Sequence, residues 1–495
     1  MSSTVVRPSG FGATYGAASW LFLRLLGIAY LFAFWSLAQQ APGLIGHDGV
    51  LPASEFIAEV RAWADSVGIG LDRYRLAPTL FWLGSSDAAL QGVAYGGAAL
   101  AVLLIAGVAP AVVLPLLWVG YLSLTVVCGD FLSFQWDGLL LETGLLATCL
   151  APFAWRDRLA NAPDPPPIAR WLMWWLLFRL MFGSGLVKLA SGDPSWRDLT
   201  ALAVHYETQP LPTPVAWYGA LLPLWFQRVS TAMVLIIELA VPFLIAAGRR
   251  PRRLAAAILI GLQLLIAVTG NYAFFNLLTI ALCVMLLDDG APAMRRVAST
   301  LPMTAGSSRR WLPAVVAIVT VPVSVAILGG QLGFRRPTVV GPLADAIDPL
   351  RSVNGYGLFA VMTTTRPEIV VEGSRDGSTW RAYEFPDKPG DLSRRPPWVA
   401  PFQPRLDWQM WFAALGRFEE ERWFQRFCAR LLEGSPPVTK LLAGNPFPDA
   451  PPRFVRATLY RYRFTGWSAG RSTGAWWVRE RLGEYAPVLS RERSE

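Results

Sequence analysis

The sequence carries little charge, and lysine, histidine and cysteine are scarce. Only 16% of its 495 residues are charged and 53% are hydrophobic, whereas soluble proteins contain about 25% charged residues. Two histidines, four cysteines and three lysines stand beside 41 arginines. This composition excludes a disordered chain, a coiled coil and a secreted disulfide scaffold. It is typical of a polytopic membrane protein.

The net charge of +9 does not indicate a nucleic-acid partner. Many arginines stand in short blocks between long apolar runs, a distribution that membrane proteins use to retain their cytoplasmic loops. The chain has no Asn-x-Ser/Thr acceptor and is rich in Arg and Ala, so we expect a bacterial protein of the plasma membrane. No Cys-x-x-Cys pair occurs, and the cysteines are predicted to be buried small residues.

Nine apolar windows predict membrane-spanning helices, because about 20 residues cross a hydrocarbon core of about 30 Å. The windows are 17–38, 86–107, 109–127, 133–152, 170–190, 229–248, 253–270, 272–288 and 311–330. We therefore predict a polytopic α-helical membrane bundle of about nine spans within residues 1–334. A soluble C-terminal β/α domain, residues 335–495, is predicted after the last window, where charged residues and proline become common.

The connections between the windows differ in arginine content from one side of the membrane to the other. The side with the N-terminus carries 12 arginines. The other side has five, in the first long loop (39–75) and the second long loop (191–228). The positive-inside rule puts the arginine-rich side in the cytoplasm. With nine spans, both long loops and the C-terminal domain are predicted to be extracytoplasmic.

Side-chain periodicity predicts the secondary structure of the C-terminal domain. Segments 356–372 and 379–385 flank an Asp-Gly turn and are rich in β-branched and aromatic residues, which indicates a β-hairpin. Residues 406–433 carry apolar side chains at helical spacing, and 453–464 is predicted to be a further strand.

Charged side chains inside the predicted spans are candidate functional residues, because they are costly in lipid. They are Arg24, Asp137, Glu142, Arg179 and Glu238, with Lys188 near the end of a span. We expect Arg179 to pair with Glu142 or Glu238 between helices. Lys188 is expected to extend to the membrane surface, as long cationic side chains do near helix ends.

The sequence contains no recognisable catalytic or cofactor motif. His47 and His205 are the only histidines, and each has an acidic neighbour, but no metal-ligand spacing accompanies them. No Gly-x-Ser-x-Gly motif is expected in a strand–turn–helix context, and no phosphate-binding glycine loop occurs. We therefore predict neither a metal nor a cofactor.

Four separated blocks resemble the lipase maturation factor family. They are FLSFQWDGLLLETG (131–144), residues 171–218 with FRLMFGSGLVKL, SWRDLTAL and HYETQPLPTPVAWY, NGYGLFAVMTTTRPEIVVEGS (354–374) and QPRLDWQMWFAAL (403–415). The resemblance implies a multispanning membrane protein, of the endoplasmic reticulum in animals, that secreted lipases need to fold and to assemble as active homodimers. It also implies a C-terminal portion that faces the lumen.

We predict that the second long loop and segment 354–374 pack together on the extracytoplasmic side and recognise exported client proteins. The residues of this surface would be Trp196, Arg197, Asp198, His205, Tyr206, Glu207, Arg366 and Glu368. The resemblance implies lipase-like hydrolases as clients. The resulting interpretation is a membrane-embedded maturation factor or chaperone.

Two alternatives stay open. The segment FGSGLVKL also resembles part of the membrane region of vitamin K-dependent gamma-carboxylases, and this resemblance implies Lys188 as a catalytic base. Those enzymes use a histidine in an earlier span, and no predicted span contains one. The second alternative is a structural or transport protein of the membrane.

Overall fold

Residues 13–298 and 311–491 are described by the structure, which is a computed structural model. Three arginines of the charge count, Arg7, Arg309 and Arg310, lie outside these ranges. The described residues form a helical part up to residue 331 and a mixed C-terminal region after it.

The helical part contains fifteen α-helices, of which several are short connecting segments. In chain order they are α1 Gly16–Ile45, α2 Ala53–Ser66, α3 Asp72–Leu76, α4 Asp87–Ile105, α5 Pro110–Cys128, α6 Gln135–Thr148, α7 Pro167–Ala190, α8 Pro194–Arg197, α9 Ala201–Thr208, α10 Pro214–Ala220, α11 Leu224–Ala240, α12 Arg249–Thr269, α13 Phe275–Val284, α14 Arg295–Ala298 and α15 Trp311–Gln331. Short helices α2, α3 and α8 to α10 belong to the two long loops.

Seven helical segments of the described residues are long and apolar enough to cross a membrane. They are Gly16–Ile45, Asp87–Ile105, Pro110–Leu132, Pro167–Ala190, Leu224–Ile245, Arg249–Thr269 and Trp311–Gln331. The predicted count of about nine is therefore not confirmed. Windows 133–152 and 272–288 give only α6 with 14 residues and α13 with 10, fewer than the roughly 20 that span a bilayer.

Local backbone geometry explains why these two helices are short. A separate 3-10 turn, Gly129–Leu132, precedes α6. The Asp137 carboxylate then accepts the backbone N–H of Phe134 at 3.3 Å, which fixes the first turn of α6. Before α13, Ala273 has a φ of 49°, which a continuing α-helix does not permit. Window 272–288 therefore contains a break as well as a helix, and in window 133–152 the helix begins only at Gln135, after the preceding turn.

Helix α1 lies at the centre of the bundle and packs against α4, α5, α6 and α13. Its contact with α4 is close because glycines face larger side chains across it. A Cβ atom at Gly97 would clash with the ring of Phe34, and one at Gly27 would lie 2.8 Å from Cγ1 of Ile105. Small residues at such positions let helix backbones approach each other in membranes.

The C-terminal region contains one antiparallel sheet and five further helices. In chain order these elements are α16 Gly341–Ile347, β1 Arg366–Ser374, β2 Arg381–Ala382, α17 Arg405–Ala413, α18 Arg422–Glu433, α19 Pro436–Thr439, β3 Phe454–Phe464, α20 Trp467–Thr473 and β4 Trp477–Ser490. The strand order is β2-β1-β3-β4. Ile369 of β1 is in register with Leu459 of β3, which in turn pairs with Gly483 of β4.

The sequence predicted part of this region correctly. The strand predicted at 453–464 corresponds to β3, and the turn of the hairpin is present. The first strand begins at Arg366, later than predicted, because residues before it are bonded to α6 and α7 and to the second long loop. The helix predicted at 406–433 is divided into α17 and α18, with Gly416 between them, and β4 was not predicted.

Both long loops contact the C-terminal region. In the first long loop, the carbonyl oxygen of Gly49 accepts a hydrogen bond from Nε of Arg430 at 2.8 Å. In the second, the indole N–H of Trp217 donates to the carbonyl oxygen of Thr465 at 2.9 Å. The two long loops and the C-terminal region therefore meet on one face of the bundle.

The arginine-rich connections meet one another elsewhere. Arg253 of α12 bonds to the Asp288 carboxylate at 2.6 Å. Arg252 of the same helix donates to the hydroxyl of Tyr15 at 2.8 Å, at the start of α1. These contacts join the connections that precede α12 and follow α13 to the beginning of the described chain.

The Gly97 contact predicts the result of a substitution. Gly97→Leu should lower the melting temperature of the detergent-solubilised protein by several degrees, because overpacking costs about 1–3 kcal/mol. Gly96→Leu is the matched control, since a Cβ at Gly96 of the same helix meets nothing within 4 Å. Thermal unfolding followed by tryptophan fluorescence measures both. An equal decrease in the two variants would contradict the close packing of α1 on α4.

Candidate functional site

A buried ion pair connects the helical part to the C-terminal region. Arg179 of α7 pairs with Glu142 of α6, so one of the two expected partners is correct. The Arg179 guanidinium also donates to the carbonyl oxygen of Asn354 at 3.1 Å. The second Glu142 oxygen accepts the hydroxyl of Tyr356 at 2.6 Å and the backbone N–H of Asn354 at 3.1 Å. The start of segment 354–374 is thus bonded directly to charges of the bundle.

Lys188 is buried and does not extend to the membrane surface as expected. Its Nζ lies 2.7 and 3.0 Å from the two carboxylate oxygens of Glu238 on α11. It also donates to the carbonyl oxygen of Ser184 at 3.2 Å. The indole ring of Trp196 covers it, with its centroid 5.2 Å from Nζ. Because Glu238 of α11 neutralises the ammonium group inside the protein, the Lys188 side chain does not have to reach water.

The remaining charges of the predicted spans also have partners. Arg405 of α17 approaches the Asp137 carboxylate to 3.6 Å and donates to the carbonyl oxygen of Phe131 at 2.8 Å. Arg24 of α1 pairs with Asp157 at 2.5 Å. A buried charge without a partner costs several kcal/mol, so each partner here removes a penalty that the other charge would otherwise impose on the fold.

The expected packing of the second long loop against segment 354–374 is present. The indole N–H of Trp196 donates to the carbonyl oxygen of Phe359 at 3.0 Å. The Asp193 carboxylate accepts the backbone N–H of Met362 at 2.5 Å. Phe359 itself has a φ of 55°, a strained value for a bulky residue that the surrounding contacts must hold in place.

Arg366 and Glu368 meet the second long loop, but both side chains are fully buried. The Arg366 guanidinium donates to the carbonyl oxygens of Gln209 and, at 2.7 Å, of Glu207 and Pro210 at the end of α9. The Glu368 carboxylate neutralises the guanidinium, with its Oε1 2.7 Å from Nη2 of Arg366. This arrangement caps the C-terminal carbonyls of α9 with a cation. The pair therefore fixes β1 on the loop and presents no charge to solvent.

His205 lies in a hydrogen-bonded chain with Tyr272 and Gln209. The Tyr272 hydroxyl donates to Oε1 of Gln209 at 2.8 Å, so its single proton is used there. Nε2 of His205, 3.0 Å from that hydroxyl, is therefore the donor to it. Burial, together with the positive charge of Lys188, lowers the pKa of His205 to about 4. The imidazole is thus neutral at pH 7.

The other predicted surface residues do not form a single cluster. The Glu207 carboxylate accepts the backbone N–H of Phe464 at 2.8 Å, and burial raises the pKa of Glu207. Tyr206 is partly buried beside Gly219. Arg197 and Asp198 are exposed. The structure therefore brings Trp196, His205 and Glu207 against the C-terminal region and leaves Arg197 and Asp198 at its edge.

One Gly-x-Ser-x-Gly sequence, GWSAG at 466–470, does follow a strand and begin a helix, contrary to expectation. Its serine, Ser468, is exposed and has ordinary helical backbone geometry in α20. A nucleophile elbow requires a strained serine and a neighbouring base. No hydrogen bond in the described residues joins Ser468 to His47 or His205, the two histidines of the chain. Ser468 therefore lies within a regular helix and not in the strained turn of a nucleophile elbow.

An open groove of about 650 Å³ lies at the junction between the helical part and the C-terminal region. We name it the aromatic cleft. Its lining consists of Asp130, Ser133, Phe134, Gln135, Trp136, Pro210, Tyr272, Gly357, Leu358, Phe359, Ala360, Val361, Thr363, Trp408, Gln409, Trp411, Phe412, Leu415, Glu420, Glu421, Arg422 and Trp423. Blocks 131–144, 354–374 and 403–415, which carry the family resemblance, all contribute to it.

Sequence reasoning did not identify the aromatic cleft. Phe134 and Trp136 were assigned to a span, and Trp408, Trp411 and Phe412 to the apolar face of one long helix. Their convergence depends on contacts between residues far apart in the chain, such as the ring packing of Trp136 on Trp408 with centroids 4.7 Å apart. The signal available in the sequence was the density of aromatic residues in these blocks.

Comparison with known proteins gives a consistent result. The family model described as the lipase maturation factor transmembrane domain matches residues 17–294, and the lipase maturation factor C-terminal domain matches 352–487. Lipase maturation factor 2 of Homo sapiens is 37% identical, over 95% of this chain and 82% of its own. Lipase maturation factor 1 of Bos taurus is 36% identical, over 98% and 91%. No solved structure matches the chain.

The Lys188–Glu238 pair predicts a specific pattern of stability. Lys188→Met should lower the free energy of unfolding by about 3–5 kcal/mol, because it leaves a buried carboxylate without its partner. The double variant Lys188→Met/Glu238→Met should recover most of this loss. Melting temperatures of the purified variants in one detergent measure the cycle. Losses that simply add would contradict a pairing role for Lys188.

Proposed function

The chain belongs to the lipase maturation factor family, and we propose that it assists the folding or assembly of exported client proteins. The names of its relatives support lipase-like hydrolases as the clients. In this molecule, the aromatic cleft is the structural observation that supports the proposal. It is open, rich in aromatic side chains and built from the blocks that resemble the family. Such surfaces are suited to recognition of a protein partner.

The contacts of Lys188 favour this function over carboxylation. A catalytic base must release and accept a proton in contact with its substrate. Lys188 is instead held by Glu238 and covered by Trp196. The relatives that cover nearly the whole chain are named maturation factors, and nothing supports the carboxylase alternative.

We further propose that the C-terminal region, from about residue 335, is an extracytoplasmic domain of a bacterial plasma-membrane protein. The excess of arginine in the connections that the Asp288 and Tyr15 contacts join supports this orientation. Its contacts with both long loops support the same side for all three. This arrangement requires α6 and α13, although each is shorter than a full span, to return the chain across the bundle.

A co-expression experiment tests the function. A secreted homodimeric lipase is produced in a bacterium that lacks any family member, with and without this chain. We expect several-fold more active lipase in the medium when the chain is present, at equal lipase mRNA. A secreted monomeric reporter enzyme is the control and should not change. Equal lipase activity with and without the chain would contradict the proposal, and equal stimulation of the reporter would favour a general structural or transport role.

Thiol labelling tests the orientation. Ser378→Cys introduces an exposed cysteine in the C-terminal region, and Ala247→Cys introduces one in an arginine-rich connection. The four native cysteines are buried, so they give a low background. A membrane-impermeant maleimide added to intact spheroplasts should label the first variant and not the second. The reverse pattern would overturn the proposed orientation.

A further inference from the structure

We propose that the aromatic cleft binds an extended, unfolded segment of the client in which apolar side chains are accompanied by lysine or arginine. This inference rests on the proposed function and adds the chemistry of the ligand. It draws on three independent features of the cleft, which are its exposed apolar lip, one indole N–H without an acceptor and a rim of carboxylates.

The lip of the aromatic cleft exposes apolar side chains that a soluble surface normally buries. Phe412 and Leu415 are 42% and 45% exposed, and Val361 of the same lining is 68% exposed. Behind them, Trp136 and Trp408 form a buried floor with their rings in contact. A contiguous apolar surface of this kind marks a binding site. Its volume of about 650 Å³ accommodates several side chains and not a folded domain.

Trp408 lacks a hydrogen-bond acceptor, in contrast to the other three tryptophans of the cleft. The indole N–H groups of Trp136, Trp411 and Trp423 donate to Gln403, Thr208 and Glu421 at 2.8–2.9 Å. The indole N–H of Trp408 is buried without a partner among the described residues. Buried donors nearly always have an acceptor. A backbone carbonyl of a bound peptide is an acceptor that every extended segment supplies, whatever its sequence.

The polar rim of the cleft is acidic. Asp130, Glu420 and Glu421 contribute carboxylates, and Arg422 is the one basic residue of the lining. Arg422 is already paired with Glu59 of the first long loop at 2.9 Å. The excess negative charge therefore attracts lysine or arginine side chains of the ligand. It repels the carboxylate of a fatty acid and the phosphate of an anionic lipid, although both would find the apolar floor suitable.

Peptide binding to the full-length protein in detergent tests the proposal. Three fluorescent twelve-residue peptides are compared by anisotropy, one with alternating leucine and aromatic residues plus two lysines, one with glutamate for lysine, and one with serine for the apolar residues. We expect the first to bind at least ten-fold more tightly than the others, and its affinity to fall with salt. Equal binding of the glutamate peptide, or equal competition by oleate or anionic phospholipid, would overturn the proposed ligand chemistry.

Variants of the cleft identify the site. Phe412→Ser should weaken binding about ten-fold, with Val488→Ser on exposed strand β4 as the matched control. Glu420→Lys should weaken it, whereas Glu419→Lys, its neighbour outside the lining, should not. Trp408→Phe removes the indole N–H together with part of the buried ring, so it should lower affinity for the lysine peptide several-fold, and the melting temperature of the variant is measured beside it to separate this loss from a loss of packing. Unchanged binding in all three cleft variants would overturn the site.

The co-expression assay separates this inference from the proposed function. If lipase activity depends on the chain but none of the peptides binds, the ligand assignment is wrong and the maturation function stands. If the lysine peptide binds at the cleft but lipase activity is independent of the chain, the maturation function is wrong and the peptide site stands. If the cleft variants lose peptide binding and lipase activation together, both are supported.

Discussion

A charge buried within a bundle of apolar helices must be neutralised by another group of the same molecule. The rest of this structure depends on how Arg179 and Glu142 meet that requirement. Their mutual ion pair leaves hydrogen-bonding capacity on both sides, and the backbone of Asn354 and the hydroxyl of Tyr356 use it. Because these groups come from the C-terminal region, the bundle and that region complete one polar network and are not independent units.

The same junction creates the aromatic cleft. Asp137 fixes the start of α6 and pairs with Arg405 at the start of α17. These two helix starts carry Trp136 and Trp408, whose rings form the floor of the cleft. The polar contacts therefore set the position of the apolar ones. A cleft built in this way has a rigid floor held by ion pairs and a lip of side chains with fewer contacts.

Much of the architecture follows from local sequence patterns, and the remainder does not for physical reasons. Long apolar windows predict spans, and alternation predicts strand 453–464, because each depends on neighbours in the chain. Hydropathy cannot distinguish a full span from a shorter helix with an apolar flank, so α6 and α13 were counted as spans. The pairing of Arg179 could be predicted from the cost of a buried charge. The burial of Lys188 and Arg366 could not, because it depends on Glu238 for the first and on the carbonyl oxygens at the end of α9 for the second, and both lie on segments distant in sequence.

The seating of Asn354 and Tyr356 on Arg179 and Glu142 has a consequence for biosynthesis. A ribosome makes the two helices that carry the charges more than 150 residues before the groups that complete their hydrogen bonds. During that interval the Glu142 carboxylate lies among apolar helices without two of its hydrogen-bond donors. The nascent bundle can therefore still rearrange. The C-terminal region thus supplies the last contacts that stabilise the helical part. A premature stop codon between the last span and Asn354 would therefore destabilise helices that had already been made.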